Sequence, residues 1–388
     1  VMTIKASGTG SLSFQDDIEG EFGENPSRSL GSYRRDHPDF SNKNCGSLTN
    51  LPLDDGIPTS GEIKFSDFYG KKLNIVVDYY SVAENREDVT NEATMAATYR
   101  YVNQNAKVKI VGGYQSKPTA VLNQNTYNLT NTTTNTSWQG GKKVFINVNA
   151  QIGGKKSSNA AGRNIVALRT GGWPSGTSLQ IDIGGSGSLR GAGGDGRQGT
   201  TSNGTPTQAN AGTSALGIEY PAQINNSGTI RCGYGGGGGG AGSWSDPNKN
   251  PRDFGRSGGG GGGGAGIPAG DGGPQNTGGY GSAGNGGPGD QAGKGKAGSD
   301  ASFDAGGNGG GGGVHGEGPG GAGNGGPGGD QNDAAGSGTA GNPNRGGGGS
   351  PGTNGHGIIF SSSSVQNNSS GNKTLSGSDG GVIVGGVS

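Results

Sequence analysis

The sequence predicts a mainly β protein whose remainder is irregular and dominated by glycine, and three observations carry that prediction. Glycine supplies 93 of the 388 residues, and only 19 of these precede Gln180. The segment between Leu73 and Ile183 holds several stretches of alternating apolar and polar residues, the period-two pattern of half-buried strands. Beyond Ile181, near-pure glycine runs alternate with connectors rich in Pro, Asp and Asn, which are turn residues. The chain therefore divides into a small N-terminal module over 1–73, a β-sandwich-like middle domain over 74–185, and a C-terminal glycine-rich domain over 186–388.

In the N-terminal module, SLSFQDDIEGEFG offers Ser13 as a helix N-cap with Asp16 three residues on. Phe14, Ile18 and Phe22 recur at a four-residue spacing and Gly23 supplies a stop, so a short amphipathic helix is expected before Pro26. In SGEIKFSDFYG, Ile63 and Phe65 alternate with polar neighbours and Phe68 and Tyr69 follow, which predicts a strand and a turn. The stretch between them, SNKNCGSLTNLPLDDGIP, is loop chemistry.

In the middle domain, LNIVVDYYS sets Leu73, Ile75, Val77 and Tyr79 on one face. KKVFINVNAQIGG reads as a single strand, with Val144, Ile146, Val148, Ala150 and Ile152 alternating against Phe145, Asn147, Asn149 and Gln151. AKVKIV, RNIVALRT and TSLQIDIGG continue the theme at spacings that suit a small sandwich. ENREDVTNEATMAATYRYV fits a helix or an excursion equally. The sequons at Asn128, Asn131 and Asn135 read better as a β-prone polar edge or loop than as glycosylation sites.

From Ile181 the chain twice runs from an Ile-rich strand through a small-residue turn into glycine, in IDIGGSGSLRGAGGDGR and INNSGTIRCGYGGGGGGAG. Collagen is excluded, because it needs glycine at every third position with abundant proline between. A flexible linker mixes Gly with Ser and lacks defined ends. The remaining reading is a bundle of polyglycine II helices, extended at about three residues per turn and ~3.1 Å rise, with loops at its ends. Lacking Cβ atoms, such helices can approach until their backbone N–H and C=O groups pair with one another. Ordering glycine costs on the order of 1–2 kcal/mol per residue, so the bundle has to be cooperative. The closing VIV of 382–384 predicts that the chain end docks back onto the fold.

Balanced charge, with 29 Lys+Arg against 29 Asp+Glu, gives no basic face and argues against nucleic-acid binding. No apolar stretch approaches the ~20 residues of a membrane helix. Two distant cysteines, Cys45 and Cys232, and three scattered histidines form neither a disulfide framework nor a zinc site. No catalytic motif stands out, and GAGGDG at 191–196 lacks the Lys-Ser/Thr of a phosphate loop. The expectation is a protein without enzymatic activity, cofactor or metal.

SLSFQDDIEGEFG followed by SGEIKFSDFYG resembles a short N-terminal segment of tailed-bacteriophage structural proteins. The glycine runs and variable loops between Gly184 and Gly357 resemble those of tail-fibre tip adhesins of the T-even-like family. The resemblance covers residues 10–70 and 181–388; 74–180 matches no family we can name. It implies a polyglycine II sandwich, and an N-terminal part that attaches to a tail-fibre or other virion protein. Phe14, Ile18, Phe22, Phe65, Phe68 and Tyr69 would lie in that attachment module. It also implies loops that bind a host outer-membrane protein or surface glycan, a place at the tail-fibre tip, and assembly in the host cytoplasm. Candidate receptor-binding residues are Trp244, Lys249, Arg252 and Phe254, with Arg256 nearby, and further along Tyr280 and Phe303. Aromatic residues and arginine dominate binding hot spots. Trp244 and Phe254 could equally be loop anchors packed on the glycine rods. The alternatives are a purely structural virion fibre or decoration subunit, an ice-binding protein, and an extracellular glycine-rich structural protein.

Overall fold

The computed structural model describes residues 4–22, 29–35, 53–72, 74–81, 106–112, 127–128, 143–171, 173, 175–200, 208–242, 258–274, 297–302, 305–310, 322, 324–330, 335–340, 348–372 and 382–384. The 84–102 stretch, expected as a helix or an excursion, most of the sequon stretch, Cys45, Leu73 and the Gly23 stop lie outside them. The described residues are mainly β with few and short helices.

The N-terminal module closes around its own apolar cluster of Ile4, Ile18, Phe22, Tyr33, Leu53, Ile57 and Phe68. Ser13 does cap the expected helix, accepting the Asp16 N–H at 3.1 Å. The turns over Phe14–Glu19 are wider than an α-helix, with the Ile18 N–H reaching the Ser13 carbonyl, before Gly20–Phe22 returns to α geometry. That extra residue moves the reciprocal carboxylate from Asp16 to Asp17, which accepts the Ser13 N–H at 2.7 Å. The strand expected around Phe65 is instead a 3₁₀ turn, Phe65–Phe68. Asp67 accepts the Lys64 N–H at 2.8 Å, closing the turn, and Phe68 goes into the core while Phe65 faces solvent.

Asp54 joins this module to the sheets. It accepts the Lys72 N–H and the Asn74 side-chain amide, and it pairs with Lys143, whose own N–H donates to Asn74.

A sandwich is not what the strands build; they pair in parallel and form three sheets. One rung comprises β4 (Lys143–Val148), β5 (Gln151–Gly153) and β6 (Val166–Arg169), each in a different sheet. The next is β7 (Ser178–Ile183), β8 (Ser188–Arg190) and β9 (Ser214–Ile218), and the third β10 (Ala222–Asn226), β11 (Thr229–Arg231) and β12 (Ile358–Phe360). β13 (Ser370–Asn372) and β14 (Val382–Val384) extend two sheets at one end. β1 (Ile75–Ser81) and β3 (Tyr127–Asn128) extend the same two at the other. β1 also carries β2 (Ala106–Gly112) as the antiparallel edge.

The expected single strand KKVFINVNAQIGG turns a corner at Asn149–Ala150, so β4 and β5 belong to different sheets. Its inward residues still alternate, because the corner preserves their direction. The core is a set of in-register aliphatic ladders: Ile146–Ile181–Ile224, Ile152–Leu189–Ile230 and Leu168–Leu216–Ile358. All nine side chains are fully buried. Each contributes roughly 1.5–3 kcal/mol of burial. The chain end docks as the VIV motif predicts, β14 pairing with β12. Strands β8 to β14 derive from the segment beyond residue 185, so the sheets run through that expected boundary.

Candidate functional site

The glycine-rich chain enters the fold at two places, both where one sheet hands over to the next. Residues 191–213 leave β8 and return as β9; residues 232–357 leave β11 and return as β12. The described runs of these excursions are extended and lie side by side, and their hydrogen bonds recur at every third residue. Gly191, Gly194, Arg197 and Thr200 donate to Arg231, Tyr234, Gly237 and Gly240, at 2.8–3.1 Å. Tyr234, Gly237 and Gly240 in turn donate to Ala265, Gly262 and Gly259, each at 2.8 Å. Gly258, Gly261 and Gly264 complete the triangle by donating to Thr200, Arg197 and Gly194.

Run 232–242 exchanges backbone hydrogen bonds with runs 191–200, 208–213, 258–266, 324–330, 335–340 and 348–357. Surrounded in this way, its groups are satisfied without forming a sheet. The need for glycine here is steric. Among the described glycines between 191 and 357 only Gly266 has positive φ. A Cβ on Gly237 would sit 2.0 Å from the Gly326 carbonyl oxygen, and one on Gly261 1.9 Å from that of Gly237. Alanine is nonetheless accommodated at the buried positions Ala192, Ala241 and Ala265.

The hydrogen-bond directions also give the sense of each run. Run 191–200 leads away from the sheets, and 232–242 runs parallel to it. Run 258–266 returns, 268–274 leads out, 297–302 returns, 305–310 leads out, 324–330 returns, 335–340 leads out and 348–357 returns. Both ends of the intervals 201–207, 243–257, 275–296, 311–323 and 341–347 therefore sit at the end of the array remote from the sheets. Residues 267–269, and the residues flanking 303–304 and 331–334, are at the near end.

Trp244, Lys249, Arg252, Phe254 and Arg256 fall in 243–257 and Tyr280 in 275–296, outside the described residues, as is Phe303. The residues flanking Phe303 are at the sheet-proximal end, where the Ser302 N–H donates to the Ala305 carbonyl. In the N-terminal module, Ile18, Phe22 and Phe68 are core, and Tyr69 donates its hydroxyl to the Gly10 carbonyl at 2.7 Å. Phe65 is 42% exposed and meets half-buried Phe14 edge-on, with centroids 6.2 Å apart.

Acidic and polar residues interrupting the runs have a role that composition hid. Asp195 accepts the Asp271 N–H, Asp300 the Gly272 N–H, Asp330 the Gly306 N–H and Asn354 the Gly235 N–H. Each supplies a side-chain oxygen to a backbone donor of an adjacent run. The available signal was an acid directly after glycine at 195 and 330; Asp300 and Asn354 follow Ser299 and Thr353 and had none. Lys156 reaches into the same rim, 3.0 Å from Asp195 and 2.8 Å from Asp271. Burial pulls its pKa down, but the hydrogen bonds and charges of Asp271 and Asp195 outweigh burial and hold it above the usual lysine value. No sequence signal links Lys156 to partners so distant in the chain.

Among the described residues, no group of His, Cys, Asp and Glu is arranged to hold a metal ion, and no helix is long and apolar enough to cross a membrane.

The described residues thus form three sheets that carry a hydrogen-bonded array of glycine-rich runs. The family model for phage tail fibre adhesin Gp38 matches residues 116–324, more than half of the chain, and the chain belongs to that family. A chain in the crystal structure of the gp37-gp38 adhesin tip complex of the bacteriophage S16 long tail fiber is similar at 16% identity. That match covers 84% of this chain and 87% of that one, with a TM-score of 0.32. No curated protein matches.

Proposed function

We propose that this tail fibre adhesin binds a host bacterial surface through connectors presented at the tip of a polyglycine II lattice. The observation that carries the reading is the alternation of run direction, which brings both ends of five connectors to the end remote from the sheets. The threefold repeat of the hydrogen bonds and the many-sided neighbourhood of run 232–242 support the polyglycine II assignment. Function commonly sits on loops held by a rigid frame. Trp244, Lys249, Arg252, Phe254 and Tyr280 belong to tip connectors and are the proposed contacts with an outer-membrane protein or a surface glycan. Phe303 belongs to a near-end connection, so this reading places it away from the contact.

The N-terminal module is the proposed attachment site for a tail-fibre or other virion protein, with exposed Phe65 and half-buried Phe14 as its apolar patch. The adhesin acts as a virion component, at the fibre tip, without catalysis. The revised organisation is this module, the three-sheet base, and the array with its tip.

The test is exchange of 243–257 and 275–296 for the equivalent connectors of a relative with another host. Adsorption should follow the connectors. An unchanged host range with intact particles would refute the tip assignment.

A further inference from the structure

The glycine runs carry little information about their own alignment. A three-residue slip of one uniform run along another restores every backbone bond, and glycine-rich segments specify register weakly. Yet the structure holds one register throughout, and it is the register of the sheets. In β8 and β11, Ser188, Leu189 and Arg190 pair with Thr229, Ile230 and Arg231. The same offset continues beyond the strand ends: in a parallel pair each N–H reaches the carbonyl one residue before its partner, as Gly191 does to Arg231 at 3.0 Å. Gly194 to Tyr234, Arg197 to Gly237 and Thr200 to Gly240 repeat it, with the step changing from two residues to three.

The returning chain behaves alike. β9 and β12 pair Leu216 with Ile358 and Gly217 with Ile359. Ahead of them, Ala209, Gly212 and Ala215 donate to Ser350, Thr353 and His356 at the offset of Leu216 to Gly357. The geometry permits this continuity. A parallel strand rises about 3.3 Å per residue and the extended threefold helix ~3.1 Å, so drift over ten residues is only about 2 Å. Side chains that break the degeneracy concentrate at the sheet-proximal end, where Cys232, Tyr234 and Ala265 form a buried cluster.

We propose that the three-sheet base is a register-setting device: the pairings β8/β11 and β9/β12 fix the alignment of the glycine array, and the array does not form without them. The dependence runs one way, because the base has its own aliphatic core. The device is independent of what the tip binds.

The test is a one-glycine insertion between Arg190 and Gly191 in the full chain, read by hydrogen exchange. A control insertion goes within 201–207, the interval beyond the far end of that run. The junction insertion should abolish protection in runs 191–200, 232–242 and 258–266 while amides of β4, β7 and β10 keep wild-type protection. The control should leave both. Retained protection in the runs of the junction variant would overturn the proposal, since the runs would then find their own register. Loss of protection in the sheets as well would overturn the one-way dependence. Pulse-labelled refolding of the unmodified chain gives a second reading. Sheet amides should become protected before Gly194, Gly237 and Gly261, and simultaneous or earlier protection of the runs would refute the device.

Discussion

Replacing Gly261 with alanine tests whether the runs are packed against one another as described. The new Cβ would lie 1.9 Å from the Gly237 carbonyl oxygen and 2.4 Å from its carbon. Carbon–oxygen contacts settle near 3.3 Å, so the two runs must part by about 1.4 Å. Three bonds cross that level: Gly261 to Arg197 at 2.8 Å, Gly237 to Gly262 at 2.8 Å and Gly273 to Gly261 at 2.6 Å. Stretched by that amount they fall outside hydrogen-bond range. At 0.5–1.5 kcal/mol each, their loss amounts to about 1.5–4.5 kcal/mol. Restricting the unfolded chain returns ~0.4–1 kcal/mol in alanine's favour, leaving a net loss of about 0.5–4 kcal/mol. Gly185→Ala is the matched control, because its Cβ would meet nothing closer than the Ser227 carbonyl at 4.0 Å and its φ is not positive. Denaturant titration of both variants, with hydrogen exchange to localise the change, decides the matter. If Gly261→Ala is as stable as Gly185→Ala, close packing of glycine is not what holds the array.

Three further outcomes follow from the geometry. Ile181→Ala removes the centre of an aliphatic ladder and should cost about 2–5 kcal/mol by denaturant titration, because the site is fully buried. Lys156→Met should cost about 1 kcal/mol, as expected for a partly exposed ion-pair cluster. Since the folded-state pKa of Lys156 is raised, the difference from wild type should be constant below about pH 10.4 and vanish as pH rises through the folded value. Asp17 has the opposite sign. The Ser13 N–H, opposed by burial and aided by Lys5, holds its carboxyl below the usual value. The stability lost in Asp17→Asn should therefore be fully visible above about pH 4 and disappear as the pH falls through the folded value, followed by thermal melts across that range.

What could be read from the sequence was local chemistry. Ser13 announced its cap, the alternation of Val144, Ile146, Val148 and Ile152 announced buried strands, and the passage of an Ile-rich strand into glycine announced the exits at Arg190 and Arg231. The corner at Asn149–Ala150 was not legible, because it leaves the alternation unbroken. Nor was the parallel stacking. Ile146, Ile181 and Ile224 form one ladder although unequal lengths of chain separate them, so no sequence period betrays the rungs. The choice of a 3₁₀ turn at Phe65–Phe68 rested on Asp67 reaching back to Lys64, a contact that outweighed alternation. The directions of the runs depend on long-range pairing and could not be read locally.

Those directions explain why a fold would spend so much glycine. A sheet satisfies its backbone only toward two neighbours, so an array of strands grows as a layer. A threefold extended helix without side chains turns its N–H groups outward in three directions in succession, as Gly236, Gly237 and Gly238 do toward Asn210, Gly262 and Gly336. The array can then grow as a compact body in which every outward run brings a return run beside it. Each such pair adds a connector at the far end while leaving the sheets unchanged. The described runs are also tied to one another by side chains of their own: Asp195, Asp300, Asp330 and Asn354 accept backbone donors of adjacent runs. Replacing Asp300 with alanine leaves the Gly272 N–H without its acceptor. The scaffold thus separates the residues that must stay fixed from those free to change, and the proposed receptor contacts all fall in the second set.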